Sequence, residues 1–462
     1  MSERHRRPYN DVIEMIGWTP LVRLNRVTDG CRTPVYGKAE FMNPGGSVKD
    51  RIGLAMIEGL EREGKLKPGG TVVEGTSGNT GLALALAAAI KGYRCIFTMP
   101  DKMSQEKVKL LRAFGAEVVI TPTAVPPDHP ENYVVKAKSI AAEVPGAVLA
   151  NQFYNPTNPE AHYRSTGPEL WEQSEGRITH FFAGSGTGGT ITGTGRFLKE
   201  KNPAVRIVGV DPDGSMIAPF FNTGNEVEGR PYKVEGLGND KIPGTLDLDV
   251  VDEYVTVGDA DAFQMARRLT REEGLFVGGS SGLLAHAAVQ RAKELDDPGA
   301  FVVTVLCDWG EHYLSKLFDD EWMRENGFLA RPKRRSVGEV IRSKEADGVI
   351  TVAPTTSVRM ALSTITAHDI GQLPVVLDGE CVGSVAESDV MARVIESPGV
   401  LDHAVESIMG APYPVLDGHV DAEEVTRLLQ RGNDACLVRE GGALTGIVTR
   451  FDVVRALTGA AG

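Results

Sequence analysis

A lysine that enters a helix behind two glycines can be desolvated, which lowers its pKa and makes the amine nucleophilic enough to form a Schiff base. The run Asn43-Pro44-Gly45-Gly46-Ser47-Val48-Lys49-Asp50-Arg51 has that form. A second loop, Glu74-Gly75-Thr76-Ser77-Gly78-Asn79-Thr80-Gly81, gathers three hydroxyls and an amide at a positive helix end, which suits a small carboxylate. In the third, Gly184-Ser185-Gly186-Thr187-Gly188-Gly189-Thr190, four glycines with interleaved hydroxyls make a backbone N–H cradle for a phosphate dianion. Gly184, Gly186 and Gly189 also satisfy GxGxxG, so a dinucleotide turn competes. That turn belongs in the first βα unit, whereas this loop follows Lys49 by more than 100 residues. A Walker loop is excluded, because no Gly-Lys-Ser/Thr ending is present. The fourth loop, Gly278-Gly279-Ser280-Ser281-Gly282, reads by itself as a flexible turn as readily as a site.

Such loops need elements to hold them. Thr71–Glu74, Arg94–Thr98, Glu117–Thr121, Thr179–Ala183, Arg206–Val210 and Phe301–Leu306 read as buried strands. Asp50–Glu63, Leu82–Lys91, Ser104–Phe114, Thr190–Glu200, Ala260–Glu273 and Gly282–Glu294 read as helices between them. This alternation predicts an α/β fold: a mostly parallel sheet covered by helices, with ligands bound beyond the carboxyl ends of the strands. Thr121–Pro130 holds four prolines and reads as a surface loop, and Asp211–Asp249 reads as a long irregular segment of functional rather than accidental origin.

The chain has 462 residues, 42% hydrophobic and 24% charged, with a net charge of −13. Length alone favours roughly three domains. The acidic balance speaks against broad nucleic-acid contact. The longest apolar run, Leu82–Ile90, is far short of the about 20 residues of a membrane span. Met1–Asn10 is polar and lacks the core of a signal peptide, so the expected location is cytoplasmic. Five cysteines without a CxxC and nine histidines without HExxH predict neither disulfides nor a metal, the cysteines serving as small core hydrophobes.

Beyond residue 325 the pattern changes. Asn326–Ser336 is basic around Pro332 and reads as a linker. Two similar units follow, 337–397 and 398–462. The ending Gly383-Ser384-Val385-Ala386-Glu387-Ser388-Asp389 returns as Gly446-Ile447-Val448-Thr449-Arg450-Phe451-Asp452, and 446 − 383 equals 452 − 389, or 63. Units this short are marginal alone and should pack on each other.

Taken in order, NPGGSVKDR, EGTSGNTG, GSGTGGT, EGLGND and GGSSG resemble the loops of the β-family (fold type II, tryptophan synthase β-like) of pyridoxal-phosphate enzymes, over about Asp11–Asp320. The duplicated tail is similar to paired CBS domains (a Bateman module), which narrows the resemblance to the cystathionine β-synthase branch of that family. It implies residues 1–325 as the catalytic domain, pyridoxal 5′-phosphate as cofactor, and condensation of serine with homocysteine to cystathionine and water. Lys49 would carry the cofactor as a Schiff base. Gly186, Thr187, Gly188, Gly189 and Thr190 would hold its phosphate, Asn79 its ring oxygen, and Ser280 would face the pyridine nitrogen. Thr76, Ser77, Asn79, Thr80, Gln152 and Gly236 would bind the substrate.

In the tail, Thr449 and Asp452, with Ile370 and Gln372, would bind an adenosyl ligand, S-adenosylmethionine first and AMP or ADP next. Ala386 replaces the corresponding threonine of the first unit, so one competent site is expected. The branch also implies a homodimer or homotetramer. Only 48 residues precede Lys49, without a Cys/His pair to suit haem, so no haem is expected. Phe153 and Asn239 stand where some relatives have tyrosine and bear on the second substrate. Cysteine synthase activity is the first alternative, and a catalytically silent adenosyl-ligand sensor the second.

Overall fold

The computed structural model describes residues 8–453 apart from 77, 102, 104, 127, 331–335, 343–347 and 431. The chain divides into two units, Met1–Ala330 and Arg331–Gly462.

In the first unit the strands are β1 (Leu21–Leu24), β2 (Val35–Ala39), β3 (Thr71–Gly75), β4 (Arg94–Pro100), β5 (Glu117–Thr121), β6 (Ala147–Leu149), β7 (His180–Gly184), β8 (Arg206–Pro212), β9 (Glu253–Val257) and β10 (Val302–Leu306). They form two sheets where the sequence alone suggested one. The larger runs β1-β2-β10-β7-β8-β9 and the smaller β5-β4-β3-β6. Only the β1–β2 pair is antiparallel. The smaller sheet comes entirely from residues 71–149, and it has its own core around Ile52, Met56, Phe97 and Leu111. The larger core gathers Phe181, Phe182, Ile207, Val208, Leu283 and Val303. Every predicted strand is present, and the fold class is that expected.

Helices follow the strands at Lys49–Arg62, Asn79–Lys91, Gln105–Ala113, Gly189–Lys201, Asp259–Glu273 and Gly279–Leu295. Asn79–Lys91 is buried along nearly its whole length and stops at Gly92, which takes a left-handed φ of 77°. The alanine and leucine content that makes it a strong helix former also lets it lie inside the domain. Helices Thr157–Arg164 and Thr166–Gln173 were not predicted. The segment 211–249, read as irregular, contains helix Ile217–Thr223, whose first turn donates the Ala218 N–H to Asp211. Cys95 and Cys436 are buried as expected, but Cys31, Cys307 and Cys381 are only partly so.

The second unit is a duplicated βα arrangement. Strands β11 (Gln372–Leu377) and β12 (Glu380–Ala386) pair antiparallel, as do β14 (Ala435–Glu440) and β15 (Ala443–Thr449), with β13 (Val415–Asp417) beside β14. The register shifts fall after Val375 and after Val438, again 63 residues apart. The two cores exchange segments: Val337 packs with Val425, Leu429 and Val448, while Val405 packs with Val358, Leu373 and Val385. The two halves therefore depend on each other for a complete core.

No helix among the described residues is long and apolar enough to cross a membrane. Among the same residues no group of three or more His, Cys, Asp or Glu gathers as a metal would require.

Candidate active site

The loop before Lys49 is stitched to the end of β10. Val48 donates its N–H to Cys307 O at 2.8 Å, and Ser47 bridges Asp308. Cys307 in turn donates its N–H to Ser281 Oγ at 2.8 Å. Three loops far apart in sequence thus meet beyond the carboxyl ends of the parallel strands, where an α/β sheet binds its ligands.

A cavity opens there. Its wall includes Val48, Lys49, Gly186, Thr187, Gly188 and Thr190, so the nucleophilic amine and the glycine cradle share one space. The cradle fits an anion. Helix Gly189–Lys201 starts at the cavity, and the first N–H groups of a helix have no partner within it. Gly188 has φ 85°, a conformation that disfavours any side chain. A methyl on Gly189 would lie 1.8 Å from Asn158 Oδ1, so only glycine lets the backbone approach.

The other predicted residues are joined to this wall through neighbours. Asn79 Nδ2 donates to Asp308 Oδ2 at 2.7 Å, which also accepts from Tyr313 Oη at 2.7 Å. Thr80 Oγ1 donates to Gln152 Oε1 at 2.6 Å, linking the EGTSGNTG loop to the residue expected to share the carboxylate. Thr76 is buried and its hydroxyl accepts from Gly78 N–H at 3.2 Å. Ser280 is buried in the first turn of its helix, beside Ser281, whose Oγ accepts the Cys307 N–H. Gly236 is followed by Leu237, which lines the cavity, and Gly238 donates its N–H to Ser185 O at 3.0 Å. Ser77 lies outside the described residues.

Electrostatics around the site follow from burial. Asp50, next to Lys49, is pushed up to about 7 by burial, although Gly45 N–H donates to it at 2.5 Å. Burial pushes Glu74 up to about 8 against donors from Asn151 and Gln152. It drives His162 down to about 3, helped by the positive charges of Arg51 and Lys49. The Cys307 thiol is raised to about 12 by the same cause. Beneath the Lys49 helix, Arg51 grips Glu40 and Glu169, and Lys38 joins Glu169 at 2.7 Å, all four side chains buried.

Asp308, Asn158, His162 and Cys307 lie outside the loop motifs yet touch predicted site residues or the cavity wall. Glu74, the first residue of EGTSGNTG, accepts from the Asn151 N–H at 2.6 Å. Asn239 donates from Nδ2 to Gly186 O, so it braces the cradle. The signal that could have exposed Asn158 is Pro159, since proline in the first turn marks a helix start.

In the second unit, Thr449 donates both its N–H and its hydroxyl to Asp452 Oδ2 at 2.8 Å. This is the reciprocal end of a capping box. Ala386, at the matching position of the first half, makes no side-chain cap. Gln372 accepts from Tyr413 Oη at 3.1 Å, and Ile370 packs on the first core.

The fold and the cavity suit an enzyme that holds an anionic cofactor beside a lysine, and the comparisons point to the same class. Residues 12–308 match the family described as pyridoxal-phosphate dependent enzyme, and residues 337–396 and 405–459 match the CBS domain. The chain belongs to the pyridoxal-phosphate dependent enzyme family and carries a pair of CBS domains. It is 38% identical over 459 residues to a cystathionine beta-synthase of Dictyostelium discoideum, covering 96% of this chain and 91% of that one. It is 49% identical over 318 residues to a cysteine synthase of Staphylococcus aureus, covering 68% of this chain and 99% of the relative. The solved structure of an O-ureido-L-serine synthase is similar at 39% identity with a TM-score of 0.63, covering 69% of this chain and all of the other.

Proposed function

We propose that this enzyme joins L-serine to L-homocysteine, giving L-cystathionine and water, and that the paired CBS domains regulate it through an adenosyl ligand. The observation that carries the reading is the shared cavity wall of Lys49 and the Gly186–Thr190 cradle. Full-length similarity to a cystathionine beta-synthase supports the choice of reaction. On this reading residues 1–325 are catalytic, 326–336 link, and 337–397 and 398–462 are the regulatory pair.

Bound pyridoxal phosphate supplies an electrophilic carbon for the amino group and an acceptor for electrons from Cα. Lys49 would hold the cofactor, and its Nζ would serve as the base for the serine Cα proton and as the donor of a proton to the departing hydroxyl. Gly186, Thr187, Gly188, Gly189 and Thr190 seat the phosphate by N–H and hydroxyl donors. Thr76, Ser77, Asn79, Thr80, Gln152 and Gly236 orient the amino acid. Asn79 would also hold the cofactor ring oxygen. Ser280 offers the pyridine nitrogen a neutral hydroxyl, which does not hold a proton on it as a carboxylate would.

In the regulatory pair, Thr449 and Asp452 with Ile370 and Gln372 form the adenosyl site, for S-adenosylmethionine first. We take the assembly to be a homodimer or homotetramer acting in the cytoplasm.

The test is a substrate panel with and without S-adenosylmethionine. Higher kcat/KM for serine plus homocysteine than for O-acetylserine plus sulfide is expected. The reverse order overturns the reading in favour of a cysteine synthase, which the Staphylococcus aureus similarity makes the second choice. A protein that stays colourless with added cofactor leaves the sensor reading standing.

A further inference from the structure

Asn158 sits in the first turn of helix Thr157–Arg164, fully buried between two loops of the site. Its Nδ2 is 2.9 Å from Gln152 O and 2.8 Å from Thr187 Oγ1. A backbone carbonyl only accepts, so the Gln152 contact fixes which end of the amide is nitrogen. The second N–H of that nitrogen then goes to Thr187 Oγ1. Thr187 therefore acts as an acceptor toward Asn158 and keeps its own hydrogen for another oxygen. The residue lines the cavity, so that hydrogen is available to a group inside it.

Two further facts limit the alternatives. Asn158 Oδ1 is buried without a partner and lies against Gly189. Exchanging the amide ends would set an oxygen against the Gln152 carbonyl oxygen, two acceptors with no hydrogen between them. The polarity of the chain from Gln152 through Asn158 to Thr187 is thus fixed by the backbone.

We propose that Asn158 is a positioning residue that keeps the Thr187 hydroxyl as a donor toward the cofactor phosphate, and that it ties this donor to the Gln152 loop. The inference rests on the proposed phosphate seat and goes beyond it, since it assigns a role to a residue outside the cavity wall.

The experiment compares binding of pyridoxal phosphate and of pyridoxal, which lacks the phosphate, to the full-length apoprotein by absorbance and fluorescence titration. Asn158→Asp retains the size but replaces the donor with an acceptor, so Thr187 turns its hydrogen inward. Kd for pyridoxal phosphate should rise at least tenfold, while Kd for pyridoxal stays within twofold of the wild type. In a Thr187→Val background the same substitution should cost less than threefold, because the effects run through one hydroxyl. Asn158→Ala, which introduces no charge, should show the same selectivity with a smaller loss, and it serves if the aspartate variant does not fold. Equal losses for both ligands, or an undiminished loss in the Thr187→Val background, overturn the role of Asn158. Equal affinity of the wild type for the two ligands overturns the phosphate seat itself.

Discussion

Replacing Arg51 by methionine should destabilise the first unit and make its stability respond differently to acid. Arg51 donates to Glu40 through Nε and Nη2, each at 2.7 Å, and to Glu169 through Nη1 at 2.6 Å and Nη2 at 2.7 Å. With Lys38 the four buried groups sum to zero charge. Methionine fills much of the volume but leaves two buried carboxylates facing one lysine. Breaking a buried pair in this way costs about 3–5 kcal/mol. Burial alone would raise Glu40, yet Arg51 holds it at about 2 against an ordinary 4.5. At about 1.4 kcal/mol per pH unit, that depression corresponds to about 3 kcal/mol, within the same range.

The sign follows from linkage. A carboxylate held low contributes its stability above pH 4.5 and loses it as pH falls toward 2. In the variant Glu40 takes up a proton more readily, so the gap between wild type and Arg51→Met should be widest at pH 7 and narrow as pH falls below 4.5. Urea unfolding of both proteins at pH 7 and pH 4, followed by circular dichroism, measures it. A loss below about 1 kcal/mol at pH 7, or a gap unchanged at pH 4, would refute the reasoning.

Three other outcomes are expected. Gly189→Ala should force its methyl against Asn158 Oδ1; overpacking of about 1–3 kcal/mol predicts a roughly tenfold to hundredfold weaker cofactor Kd, read by titration. Glu74→Gln should flatten stability against pH: wild-type Glu74, raised to about 8, binds more protons folded than unfolded, so stability falls between pH 4.5 and 8 by up to about 1.4 kcal/mol per unit. Denaturation at pH 6 and pH 8 checks the slope, and parallel curves for the two proteins would count against it. Asp452→Ala removes the acceptor of Thr449 and should weaken S-adenosylmethionine in calorimetry while catalysis without ligand is kept; unchanged affinity would exclude the assigned site.

Much of the site was readable because its chemistry lies in contiguous loops. The Lys49 run and the GSGTGGT run each follow a predictable pattern, and both reach one cavity. What escaped is tertiary. Nothing in the periodicity of residues 71–149 says that their strands form a separate sheet, since a parallel strand reads alike in either sheet. The three-residue strand Ala147–Leu149 is too short to show a period at all. Asn158 and Asp308 matter through partners 29 and 229 residues away, which no local pattern reports. The exchange of Val337 and Val405 between the two cores is likewise invisible to a repeat offset, because the offset relates equivalent positions and not contacts. The Thr449–Asp452 pattern was read as a ligand motif, and the structure adds that the same pair caps a helix.

Borohydride reduction of the cofactor-loaded protein followed by peptide mapping tests most directly whether Lys49 carries the cofactor. A stable pyridoxyl label on Lys49 is expected, and none after Lys49→Ala in a protein that remains folded. A label on any other lysine of the wild type, or no label at all, would contradict that role.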